Sequence, residues 1–92
     1  MTVSPDAIVQ RADVLWRRTL DGVLIRRPPA AAEVVKLAGT GSALWDALSD
    51  PIRFADLCEV LAGLHDVGAQ TIAADIEPVV EDLAERGVVL LG

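Results

Sequence analysis

The chain has 92 residues, 52% of them hydrophobic, enough for one modest core and too few for two domains. Its 14 acids outnumber 8 bases for a net charge of −6, and no apolar run approaches the roughly 20 residues that a membrane helix needs. One cysteine excludes an internal disulfide framework and no signal-peptide pattern opens the chain, so a single cytoplasmic domain over 1–92, away from membranes, is expected.

Residues 1–12 lack strong periodicity and read as a loose arm or a short helix. From Asp13 the pattern becomes that of a strand, and after Asp21-Gly22 a second β-rich run, Val23-Leu24-Ile25-Arg26-Arg27, follows. Asp-Gly between two such runs is a hairpin signal, because both turn positions then need positive φ. A two-residue turn there pairs Leu20 with Val23, Arg18 with Ile25 and Arg17 with Arg26. Two like charges set opposite each other are unfavourable unless an anion sits near them. Arg17 and Arg26 are therefore either a solvated face or a docking patch for an acidic peptide or partner.

Pro28-Pro29 cannot continue a hydrogen-bonded central strand. A short third strand over 32–38 resumes around Val34-Val35-Lys36-Leu37. Thr40-Gly41-Ser42 starts a first helix through Leu48, with Leu44, Trp45 and Leu48 on one face, and Asp50-Pro51 ends it. A second helix over 54–64 places Phe54, Leu57, Cys58, Leu61 and Leu64 on an apolar stripe. The third helix, over 69–86, carries Ile72, Ile76, Val79, Val80 and Leu83, with Pro78 inside it and Gly87 as its C-terminal cap. A final strand is expected over 88–91. The order is α+β, a three-stranded antiparallel N-terminal sheet followed by three helices, and it is winged-helix-turn-helix-like.

Catalysis finds no foothold in this composition. One histidine and one cysteine, without HxxxH or CxxC spacing, offer no metal site. Cys58 reads as a small buried hydrophobe, His65 as a helix cap, and Trp16 and Trp45 as core or sheet cover. No glycine-rich phosphate loop is present, so neither an enzyme nor a cofactor is expected. A winged-helix DNA-binding function is disfavoured because six acids and no base lie between Asp66 and Glu85, whereas nucleic-acid affinity comes from Lys and Arg.

Two segments resemble PqqD-like proteins. The run from Val35 to Leu48, with Thr40-Gly41 and Leu44-Trp45, resembles that family's Leu-Asn-x-Thr-Gly-x-x-(Ile/Leu)-Trp-x-Leu-Leu segment. The run from Asp75 to Val89 is similar to its Asp-Val-x-x-Phe-Leu-x-x-Leu-x-x-x-Gly-Leu ending. The chain departs from the pattern at Ala38, at Arg53 and at Pro78. The resemblance implies a non-catalytic peptide chaperone that binds the leader of a ribosomally made precursor and presents it to a modifying enzyme such as a radical SAM protein, protease or cyclase. It implies that the leader adds as a strand to the third strand, at Glu33, Val34, Val35, Lys36 and Leu37. The leader would then pack on the third helix at Ile72, Asp75, Ile76, Val79, Val80 and Leu83. A structural subunit that binds a partner protein but no free peptide is the remaining alternative.

Overall fold

The computed structural model of the chain describes residues 3–26 and 34–92, and gives two small antiparallel sheets around three helices. In chain order the elements are β1 (Ile8–Arg11), β2 (Leu15–Arg18), β3 (Gly22–Arg26), β4 (Val34–Ala38), α1 (Thr40–Ala47), β5 (Ile52–Arg53), α2 (Phe54–His65), α3 (Ala69–Glu85) and β6 (Val89–Leu91). One sheet has the order β2-β3-β4, the other β5-β1-β6. The expected α+β order, with an N-terminal three-stranded sheet and three helices, is present. The prolines 28 and 29, and Glu33, lie outside the described residues.

For the described residues 3–12, the second sheet corrects the expectation of a loose arm or a short helix. Ile8–Arg11 forms its central strand, pairing Val9 with Leu91 on one side and with Ile52 on the other. Four residues carry too little alternation to announce a strand, and the pairing partners lie in the middle and at the far end of the chain. The arm has a second duty. Arg53 caps α2 with no side-chain bond, but the first-turn amides of Phe54 and Ala55 donate to the carbonyls of Ala7 and Pro5 at 2.8 and 3.0 Å. Backbone acceptors thus take the place of the missing Ser or Thr cap.

The hairpin is present with a different register. Arg18 faces Val23, Arg17 faces Leu24 and Leu15 faces Arg26, and the Thr19 amide donates to the Gly22 carbonyl at 2.8 Å, so Leu20 and Asp21 form the tip. Arg17 and Arg26 are not opposite each other, and no like-charge pair has to be neutralised. Gly22 is a strand residue without positive φ. Its role is close approach: a Cβ there would lie 1.9 Å from the Leu37 carbonyl oxygen. Positive φ is used instead at Gly39, which precedes α1, and at Gly87. After α3 the Gly87 and Val88 amides donate to the carbonyls of Ala84 and Leu83, the Schellman pattern that ends the helix.

All three helices bury one stripe in a common core with the inner faces of both sheets. Val9, Val23, Ile25, Leu44, Trp45, Leu57, Leu61, Ile76 and Val80 are among its most deeply buried side chains. Cys58 is buried as expected, whereas Leu64 at the end of the α2 stripe is 66% exposed. Burial, aided by the charge of Glu77, pushes the Cys58 thiol above its usual pKa. Arg11 ties the two sheets together. Its guanidinium lies 4.7 Å from the ring centres of both Trp16 and Trp45, and it donates to the Trp45 carbonyl at 2.6 Å. None of the described helices is long and apolar enough to cross a membrane.

Candidate functional site

The alternation of β4 decides what the site can be. Val35 and Leu37 share a face with Ile25 and Val23 and turn inward, while Val34 and Lys36 share the outer face with Arg26 and Leu24. Only one side of β4 is paired, to β3. Its other side is an open edge among the described residues, where its backbone N–H and C=O groups have no sheet partner. Such a rim is a template for another extended chain.

Between this edge and α3 lies a cleft of about 410 Å³, lined by Val34 to Leu37 on the strand and by Pro78, Val79, Asp82, Leu83 and Arg86 on the helix. A second hollow of about 280 Å³, lined by Thr40, Gly41 and Leu44 of α1 and by Asp75, Ile76 and Val79 of α3, lies further along the same helix. Val79 borders both. The α3 residues of the first cleft follow the helical repeat, so one turn-by-turn stripe forms the wall. Asp82 and Arg86 at its far end hold each other at 3.0 Å. Helix α3 runs unbroken through Pro78, whose exposed ring forms part of that wall.

The structure brings most of the sequence-predicted residues to this place and separates some. Val34, Val35, Lys36, Leu37, Val79 and Leu83 line the cleft, and Asp75 and Ile76 line the adjoining hollow. Ile72 and Val80 border neither; both are buried in the core, where they hold α3 in position. Ile76 and Leu83 are also almost fully buried, which leaves the half-buried Val79 as the apolar side chain of α3 best placed to meet a ligand. Asp82 and Arg86 were not foreseen, although the spacing Val79, Asp82, Leu83, Arg86 continues the same face by i+3 and i+4 steps. Lys36 donates to Asp21 at 3.1 Å, and this exposed pair is the main reason the Asp21 carboxyl titrates below its usual range. Arg17 and Arg26 sit on the outer sheet face, away from α3. No group of three or more metal-ligating side chains is found among the described residues.

Three comparisons bear on this geometry. The family model described as "Coenzyme PQQ synthesis protein D (PqqD)" matches residues 26–89. No curated protein matches the chain. The solution NMR structure of the PqqD truncation of Methylobacterium extorquens PqqCD is similar to it. The two share 19% identity and a TM-score of 0.73 over 96% of this chain and 94% of that one. That truncation is described as a functional, stand-alone recognition element for ribosomally synthesised and post-translationally modified peptides. At such identity the likeness shows the fold.

Proposed function

Because the chain belongs to the PqqD family, we propose that it is a non-catalytic recognition domain for a ribosomally made precursor peptide. It takes the leader as an added strand, antiparallel along β4, and presents the remainder to a modifying enzyme. The observation that carries the proposal is the open β4 edge facing an apolar-walled cleft on α3. Backbone pairing along the edge supplies affinity for any extended chain, and the cleft selects the side chains that alternate inward. The other edge of this sheet, β2, carries Arg17 and Arg18, charges of the kind that discourage strand addition.

The proposed ligand therefore carries apolar residues at every second position. A display selection from random peptides of about 15 residues, long enough for one strand and its flanks, identifies ligands of that pattern. Val79→Asp then tests the cleft. It places a carboxylate at a half-buried position of the wall without touching the fully buried stripe. A selected peptide is expected to lose at least roughly tenfold in affinity by calorimetry, about 1.4 kcal/mol or more, while the thermal melting of the domain changes little. Equal affinity for the variant would place the ligand elsewhere.

A further inference from the structure

Val34 borders two cavities. One is the β4–α3 cleft; the other, of about 350 Å³, lies over the β2-β3-β4 sheet and is lined by Leu15, Arg17, Leu24, Arg26 and Val34 among others. The pairing registers put these five side chains on the outer face, since Leu15, Arg26 and Val34 form one row across the strands, and Arg17 and Leu24 belong to the next. Leu15 is 64% exposed and Val34 47%, so the rows form an apolar floor open to water.

The charges on this floor set it apart. Arg18 pairs with Asp46, Lys36 with Asp21, Arg53 with Asp56 and Arg86 with Asp82, while Arg11 donates to the Trp45 carbonyl. Among the described arginine and lysine side chains, Arg17 and Arg26 alone have no such partner, in a chain with 14 acids and 8 bases. Two unpaired guanidiniums around apolar side chains complement a carboxylate supplied by another molecule.

Chain direction says which molecule. A strand added antiparallel to β4 enters beside Ala38 and leaves beside Val34, at the rim shared by the two cavities. Neighbouring strands lie about 4.8 Å apart, so Leu24 and Arg26, both on β3, are about 10 Å from the added strand. Three or four extended residues cover that distance. We infer that the outer face of β2-β3-β4 is a second contact surface for the same peptide. It holds a short acidic segment directly C-terminal to the added strand, with Arg17 and Arg26 binding its carboxylates and Leu15, Leu24 and Val34 receiving an apolar side chain between them. This inference rests on the strand-addition reading.

The test runs the display selection of peptides of about 15 residues on the wild type and on the Arg17→Glu/Arg26→Glu double variant. The wild type is expected to enrich an alternating apolar segment followed, within about four residues, by Asp or Glu. The double variant should enrich the same alternating segment without the acids. A wild-type-selected peptide should bind the variant roughly tenfold more weakly, and the gap should shrink as salt rises from about 0.05 to about 0.5 M. Equal enrichment of acids by both proteins, or an unchanged affinity, overturns the inference and leaves strand addition standing; the arginines would then face another surface, such as that of an enzyme. Failure of both proteins to enrich any alternating apolar segment overturns the strand-addition reading and the inference with it.

Discussion

Arg11 shows how one side chain decides the relation between two sheets. It leaves β1, lies against an indole from β2 and one from α1 that themselves meet edge to face, and ends on the Trp45 carbonyl. A partly desolvated cation over two rings, with a charge-assisted hydrogen bond, contributes about 2–4 kcal/mol. Arg11→Ala should lower the melting temperature by roughly 10–20 °C. Arg11→Lys, which keeps the charge but loses the planar fork, should recover only part of the loss; melts equal to wild type for the alanine variant would show that the stack is incidental. Two glycines separate two other residue-scale effects. Gly22→Ala drives a methyl into the Leu37 carbonyl and must push β4 off β3, a cost of about 3 kcal/mol. At Gly39 nothing lies within 4 Å of an added Cβ, and the penalty for Gly39→Ala is that of its backbone conformation, φ 57° with ψ −125°, about 1–3 kcal/mol. Chemical denaturation of both variants checks the order: a larger loss at 39 than at 22 would contradict it.

At the scale of elements, the helices were readable because each buries one stripe over two or more turns. Pairing was readable only where its partner is near in sequence. The alternation Val34 to Leu37 announces β4, and the i+3 and i+4 steps from Ile72 to Leu83 announce α3. That the two enclose a cleft follows from tertiary packing that neither pattern contains. Burial also divides the α3 stripe: Ile72 and Val80 serve the core, and Val79 stays half-buried on the wall of the cleft. The hairpin register went astray for a specific reason. Asp21-Gly22 has the composition of a turn, but Gly22 is needed in the strand, where β4 approaches too closely for a side chain, so the tip moves back to Leu20-Asp21. The same alternation gives an element-scale test of strand addition. Successive amides of β4 point in turn to β3 and to the open edge. Of Val35→Pro and Lys36→Pro, one removes a bond to β3 and should disturb the fold by circular dichroism. The other should keep the fold, because proline is tolerated on the free side of an edge strand, and should lose the selected peptide in a calorimetric titration. If the folded proline variant still binds at wild-type affinity, the edge is not paired by the ligand.

For the whole molecule, the question is whether residues 3–11 belong to the fold. Their composition suggests a loose arm, and an arm could be removed without consequence. Their position says otherwise. Val3 and Val9 are buried in the common core, and the Val3 amide donates to the Glu77 carboxylate on α3 at 3.2 Å. Ala7 and Pro5 cap α2, and Ile8–Arg11 is the central strand between β5 and β6. Deleting residues 1–11 would expose apolar surface worth about 3–6 kcal/mol for the two valines, an upper figure because the unfolded chain is itself partly compact. It would also remove the Arg11 stack and leave β5 and β6 without a partner strand. Those losses rival the whole stability of a small domain, about 5–15 kcal/mol. The shortened chain should therefore show no cooperative thermal transition and bind no selected peptide, even though every residue of the β4–α3 cleft is still present. A melt within a few degrees of the full-length chain would show that the second sheet is an ornament, and that the recognition edge stands on β2-β3-β4 and the helices alone.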